Sequence, residues 1–429
     1  MLIERLVGYV VSKKIKNYLY FEPNALCNLP QRKNSQSPLM LYIHIPFCEE
    51  MCTYCSFHRV TFRENLTRAY FAALRKEILL YKEEGYNFGA LYIGGGTPTV
   101  LIDELVATIE LIKKCFSITE ISVETNPNHL DMEKMIILKE AGVGRLSVGV
   151  QSFDDDILKA TDRYHKYGSG EQIINKIKEI QGLFKTLNVD MIFNFPTQTE
   201  KMLQRDLDII LDLKVDQVTF YPLMVSTTTR KDIERKLGTI KDERGRRYYE
   251  IITTTLKSEY RASTAWCFAR DEFLIDEYVV NYEEYAGIGS GAFGYLNGTV
   301  YANLFDIPEY IRQVQQGKYP ITARRDCNPQ SAILYDFMMQ FFGLSIDLSH
   351  LWRKYGLYAM LHLSLVVLFF MLIGSIKREG RNGSFVVKNP YHGVIMMRKF
   401  FTSVNDFRDY CRSRVTQSPN TEELLEKPI

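Results

Sequence analysis

Between residues 38 and 225 short apolar runs alternate with amphipathic stretches six times, and that rhythm leaves few folds open to the chain. The runs predict strands at Leu39–Pro46, Ala90–Gly94, Glu120–Thr125, Arg145–Val150, Val189–Phe195 and Gln217–Pro222. Helices fill the intervals. The clearest runs from Leu66 to Glu84, where Leu66, Tyr70, Leu74, Ile78 and Tyr81 recur on one face. Six βα units in succession predict a parallel sheet with right-handed crossovers, as an open sheet or a barrel.

Enzymes of this architecture carry their chemistry at the carboxyl ends of the strands, and the polar and glycine residues sort to those ends. Cys48, Cys52 and Cys55 follow the first strand, and Gly94-Gly95-Gly96-Thr97-Pro98 follows the second. Glu124-Thr125-Asn126-Pro127 ends the third and Gln151-Ser152 the fourth. Asn194 and Gln198 close the fifth, and Tyr221-Pro222 the sixth.

The cysteine spacing, C-x3-C-x2-C, suits a cubane iron–sulfur cluster held by three thiolates, which leaves one iron open to another molecule. The bland readings are a zinc knuckle, a disulfide with a spare thiol, or chance. Structural zinc wants four ligands, and no second Cys-x2-Cys or histidine pair stands at a suitable spacing. His44, inside the first strand, suits packing better than ligation. Glycines 94 to 96 let backbone N–H groups approach a ligand, and Glu124, an inward-facing carboxylate, needs a hydrogen-bond partner such as a ribose or an amino group, or a salt bridge within the barrel.

At 429 residues the chain can bury a large core and a smaller one, so two domains are expected. A net charge of +2 with no long basic run gives no reason to expect a nucleic acid. The other five cysteines (Cys27, Cys115, Cys267, Cys327, Cys411) show no pairing pattern, which suits a reducing cytoplasm, or the inner face of the membrane. Residues 357–376 carry no formal charge over a length able to span a bilayer. A buried helix of a C-terminal domain is the preferred reading, and peripheral contact with a bilayer surface is a middle course. Beyond position 230 the βα rhythm stops. Tyr285–Gly294 carries four glycines and reads as a tight turn or a ligand loop, without a preceding strand. Phe400, Phe401, Phe407 and Tyr410 lie on a terminal helix with Arg398, Arg408, Arg412 and Arg414, its aromatic side read as core. The domains expected are an N-terminal extension (1–37), a barrel core (38–230), a barrel-completing region (231–330), a C-terminal cap (331–415) and a disordered tail (416–429).

The stretch Tyr42-Ile43-His44-Ile45-Pro46-Phe47-Cys48 through Tyr54-Cys55-Ser56-Phe57 resembles the radical S-adenosylmethionine (SAM) superfamily. Joined with Gly94–Pro98, Glu124–Pro127, Arg145–Phe153, Asp190–Thr199 and Tyr285–Gly294, it resembles the oxygen-independent coproporphyrinogen dehydrogenase branch, which also holds haem chaperones, haem-degrading enzymes and class C methyltransferases. The resemblance implies an α/β fold, a partial (β/α)6 TIM-like radical SAM barrel with a small C-terminal winged-helix-like domain. It also implies a [4Fe-4S] cluster on Cys48, Cys52 and Cys55, and two SAM molecules. Tyr42, Gly95, Thr97, Glu124 and Ala292 match positions around the first SAM, Tyr54 packs on its adenine, and Gln151, Arg163 and Asp190 match positions near the second.

The chain departs from the branch in three places. Phe57 stands where the dehydrogenase has a further cysteine, Ser56 where haem chaperones carry an acid, and Asn194-Phe195-Pro196 where Gly-Leu-Pro is usual. Residues Tyr391 to Val404, with Met396-Met397-Arg398, resemble the methyltransferases that modify carbon 8 (C8) of menaquinone. The expected function is therefore a class C radical SAM methyltransferase acting on a lipid-soluble quinone, fed by a low-potential donor such as flavodoxin or ferredoxin. A tetrapyrrole substrate, or haem trafficking without catalysis, is the alternative. Tyr164, His165 and Tyr221 are candidates to meet the substrate.

Overall fold

The computed structural model describes residues 4–9, 28–30, 39–271, 282–380 and 383–415. The expected disordered tail at 416–429 lies outside the described residues, as does Cys27.

The six expected strands form as β1 (Met40–Ile45), β2 (Ala90–Gly95), β3 (Glu120–Thr125), β4 (Arg145–Gln151), β5 (Thr186–Phe193) and β6 (Gln217–Pro222). Each pairs in parallel with the next, in chain order. β5 begins three residues earlier than its apolar run suggested and stops before Asn194, whose φ of 71° takes the backbone out of the strand. The helix α1 (Glu64–Glu83) covers β1 with Tyr70, Phe71, Leu74, Ile78 and Tyr81 buried, the spacing that predicted it.

Four further strands, β7 (Arg261–Ala262), β8 (Cys267–Ala269), β9 (Tyr285–Ile288) and β10 (Phe293–Leu296), with β11 (Thr299–Asn303) and β12 (Ile321–Asp326), extend this to one twelve-stranded mixed sheet. Its order is β12-β11-β10-β9-β1-β2-β3-β4-β5-β6-β8-β7. The glycine loop therefore does follow a strand: β9 pairs in parallel with β1, Tyr42 opposite Gly287. Its four residues are too few to show a period, which is why sequence reading passed over it.

The C-terminal region holds α2 (Pro329–Phe342), α3 (Leu348–Tyr355), α4 (Leu357–Leu372) and α5 (Pro390–Val415). Its wing has three strands, β13 (Ser345–Asp347), β14 (Ile376–Glu379) and β15 (Ser384–Val387), in the order β13-β15-β14. The apolar segment at 357–376 is not a wholly buried helix. In α4 only Ala359, Leu363, Val367 and Phe370 are buried. Among the described residues no helix is long and apolar enough to cross a membrane.

Candidate functional site

The three cysteines sit in the loop that leaves β1, pinned at both ends. Residues Phe47–Cys48 and Val60–Thr61 pair in parallel, and Phe62 N–H donates to the Cys48 carbonyl at 2.8 Å. The loop lies against the end of β2 because residue 96 is glycine. A Cβ there would stand 2.6 Å from the Phe47 carbonyl oxygen and 2.9 Å from Cys48 Sγ. Two cations shape the loop. Arg59 Nη2 donates to the carbonyls of Cys52 (2.7 Å) and Cys55 (2.8 Å). Buried Arg163 donates to Cys52 Sγ at 3.3 Å, to the Tyr54 hydroxyl at 3.1 Å and to the Gly149 carbonyl. Burial, reinforced by the neighbouring Cys55, pushes the Cys48 thiol up to about 11.

All seven described cysteines are free. Among the described residues no group of three or more His, Cys, Asp or Glu is arranged to hold a single metal ion, yet all three loop cysteines line one cavity. That suits a cluster, whose ligands are spread around several irons, and not a zinc knuckle. Three thiols with two cations beside them suit the donor set of a cubane with one open iron.

The same cavity collects Tyr42, Tyr54, Gly95, Glu124, Gln151, Arg163 and Asp190. Glu124 accepts from the Tyr92 hydroxyl (2.7 Å) and from Gly95 N–H (3.1 Å). Burial, with Asp190 nearby, raises its pKa to about 7. Asp190 accepts from Ser147 and Asn188, both at 2.8 Å, and burial raises it too. Gln151, which lines the cavity, holds a left-handed φ of 76° at the end of β4, where the register with β5 shifts. The N–H groups at 95, 96 and 97 donate to Glu124, the Ile45 carbonyl and the Phe47 carbonyl, so the glycine turn spends these donors inside the protein rather than on a ligand.

Two expected residues stand back from the cavity wall. Thr97 is buried behind it, accepting from Asn126 at 2.8 Å and facing Cys48 Sγ at 3.8 Å. Ala292 is buried in the turn between Gly291 and Phe293, which do line the cavity. Tyr221 lines it, whereas Tyr164 and His165 do not. His44, expected to pack rather than ligate, also lines the cavity, and its ring links the Tyr42 hydroxyl to the His58 carbonyl, both at 2.8 Å.

Sequence reasoning missed much of the remaining wall. Phe400 and Phe401 pack against the core, as expected, and also line the cavity, together with Met397, Asn405 and Arg408 of α5. The rings Tyr221, Trp266, Phe401, Phe400, Tyr335 and Tyr295 follow one another with centroids 4.9–6.1 Å apart. Arg408 lies over the rings of Phe57 (4.8 Å) and Phe293 (5.4 Å). Next to it Arg412 donates to the Phe57 carbonyl at 2.7 Å, tying the end of α5 to the cysteine loop. No residue of α4 lines the cavity, so the apolar segment lies away from it.

Comparison with known proteins agrees with this geometry. The family model described as the radical SAM superfamily matches residues 42–210. The heme chaperone HemW of Bacillus subtilis is 32% identical over 296 residues, covering 65% of this chain and 76% of that protein. An oxygen-independent coproporphyrinogen III oxidase of Helicobacter pylori is 26% identical over 351 residues, covering 74% of this chain and 75% of that one. Among solved structures, coproporphyrinogen III oxidase (HemN) from Escherichia coli, described as a radical SAM enzyme, superposes with a TM-score of 0.70. It is 21% identical and covers 90% of this chain and 97% of that one, a likeness that shows the fold. These relatives overturn the expected menaquinone C8-methyltransferase: they are named for haem and coproporphyrinogen, and the departures at Ser56 and Phe57 do not carry the chain out of their branch. The radical SAM family implies a [4Fe-4S] cluster and SAM, for which the cysteine loop and the cavity above provide the setting. The chain belongs to the radical SAM superfamily, in the branch that holds the heme chaperone HemW and the oxygen-independent coproporphyrinogen III oxidases.

Proposed function

We propose that this protein binds haem in the aromatic part of the cavity and serves haem handling rather than coproporphyrinogen oxidation. One observation carries the choice: the charge balance of the wall. Among the described residues three arginines line the cavity, Arg59, Arg163 and Arg408, against three carboxylates, Glu50, Glu124 and Asp190. Arg59 and Arg163 are engaged with the cysteine loop. Arg408 lies over the rings of Phe57 and Phe293 and donates to Asn405 at 2.8 Å, on the side of the cavity that α5 covers. A substrate with four propionates meets too few cations here, whereas haem presents an apolar macrocycle to the ring series and two propionates, one of them for Arg408.

Cys48, Cys52 and Cys55 would hold the cluster. Gly95, Thr97 and Glu124 would position one SAM; Gln151, Arg163 and Asp190 would position a second. The cluster and SAM together supply, when bound, a one-electron route to a carbon radical, with the electron coming from a low-potential donor such as flavodoxin or ferredoxin. The chain's own part is to exclude water with its buried aromatic wall, to hold the cysteine loop in place through Arg59, Arg163 and Arg412, and to present Glu124 as an acceptor. Of the expected residues, Thr97 would act through Asn126, which donates to it and lines the cavity.

Titration of the anaerobically reconstituted full chain with haem tests this reading. A shifted Soret band saturating at one haem per chain is expected, with affinity weakened about tenfold or more in Arg408→Met, the value of a charge-assisted hydrogen bond. The second reading, coproporphyrinogen oxidation, rests on the fold shared with the oxidase. SAM-dependent loss of carboxyl groups from coproporphyrinogen III, followed by mass spectrometry, would replace the first reading with it.

A further inference from the structure

The outer face of α4 is built the wrong way round for a helix facing water. Leu357, Leu361, Leu365, Leu368 and Leu372 are all exposed, Leu361 at 67%, Leu365 at 76% and Leu372 at 77%. Their spacing of four, four, three and four residues places them in one stripe. The buried residues Ala359, Leu363, Val367 and Phe370 lie on the opposite side, against α2, where Phe370 meets Phe337 and Phe341. The helix needs only that inner face for packing. A surface helix ordinarily carries charged residues outside, and contiguous exposed apolar surface of this kind marks an interaction site.

From the structure we infer that this face of α4 docks on an anionic lipid surface, lying in the plane of the headgroups. Three observations select lipid over a protein partner. First, no aspartate or glutamate occurs from residue 348 to 378, while Arg353 precedes the helix and Lys377 and Arg378 follow it, all three exposed; Lys354 is held by Glu283 and Asp336, and Arg353 lies 3.8 Å from Asp347. Cations at both ends of an apolar stripe complement anionic headgroups. Second, Trp352 and Tyr358 are exposed at the N-terminal end, 47% and 45%, the side chains suited to the boundary between headgroups and acyl chains. Third, the stripe itself offers no polar group: Ser364 bonds back to the Leu361 carbonyl at 3.1 Å, whereas a protein interface would call for a polar rim. Sixteen residues make about 24 Å of helix, short of the hydrocarbon core, so the helix lies on the bilayer rather than across it. This docking is independent of the ligand in the cavity, because no residue of α4 lines it.

The experiment uses the full chain and vesicles of phosphatidylcholine alone or mixed with phosphatidylglycerol. Co-sedimentation with the mixed vesicles is expected, weakened by salt, and reduced more than about tenfold in Leu361→Glu/Leu365→Glu/Leu372→Glu. The chain has two tryptophans, of which Trp266 is buried. A blue shift of the unmutated protein's emission on adding the mixed vesicles therefore reports Trp352 and does not depend on the variant folding. Failure to pellet with no blue shift overturns the inference, as does equal pelleting of the folded triple variant. A wild-type dimer in sedimentation velocity that the triple variant converts to monomer would assign the face to a second copy instead.

Discussion

Gly96 is the position where one added methyl group tests how the cysteine loop is held. In Gly96→Ala the new Cβ meets the Phe47 carbonyl oxygen at 2.6 Å, its carbon at 3.0 Å and Cys48 Sγ at 2.9 Å. Ordinary contact begins near 3.4 Å, so the loop and the end of β2 must separate by several tenths of an ångström. Two of these three atoms are backbone, fixed by the bonds from Gly96 N–H to the Ile45 carbonyl and from Thr97 N–H to the Phe47 carbonyl, both 2.8 Å. Overpacking of this kind costs about 1–3 kcal/mol, a fall in Tm of no more than roughly 5 °C in a chain this long. A metal ligand tolerates only about 0.2 Å, so Cys48 should lose its place while the fold survives. Anaerobic reconstitution followed by iron and sulfide analysis and the cluster absorbance reads the result, and a several-fold loss of iron per chain is expected. Gly182→Ala is the control. It imposes a side chain on a left-handed residue (φ 73°) with nothing within 4 Å, so it should cost about 1–2 kcal/mol and keep the cluster. Wild-type iron content in Gly96→Ala would refute the argument that this glycine sets the loop.

Burial raises Glu77 to about 7; it accepts from Tyr310, Gly289 N–H and Asn303 beneath the glycine turn. A carboxyl whose folded pKa exceeds its unfolded value of 4.5 favours the folded state below that value and loses the contribution as pH rises toward 7, on the order of 3 kcal/mol. Glu77→Gln should accordingly flatten the dependence of Tm on pH between about 4.5 and 7, measured on the apo-protein by calorimetry. Glu124→Gln keeps the shape of the side chain but removes its charge and one acceptor, and should weaken SAM binding about tenfold by isothermal titration while leaving iron content unchanged. Arg412→Met removes the tie from α5 to the Phe57 carbonyl and should speed loss of the cluster in air several-fold with little change in Tm, followed by bleaching of its absorbance.

The alternation of apolar runs and the cysteine spacing carry most of the architecture that can be read without coordinates. Strands β1 to β6 and α1 form where the pattern placed them, to within three residues at the start of β5, because a strand or helix that buries one face must repeat its apolar residues at 2 or 3.6. The carboxyl-end location of Cys48, Glu124 and Gln151 follows from the same pattern, since parallel strands joined by helices all end on one side, whereas Asp190 lies inside β5. Other features are set by contacts between residues far apart in sequence, which no local period encodes. β9 is too short to announce itself and exists by pairing with β1, some 240 residues earlier. Phe400 and Phe401 have the same helical spacing whether or not they also face a cavity, and only the packing of α5 over the cysteine loop brings them to it. The glycines at 95 and 96 looked like ligand donors until neighbouring strands took up their N–H groups. In α4 the sequence determines that the helix is apolar all round. The tertiary structure alone decides which face is covered, because α2 can bury one side of a cylinder and leaves the opposite stripe of leucines exposed.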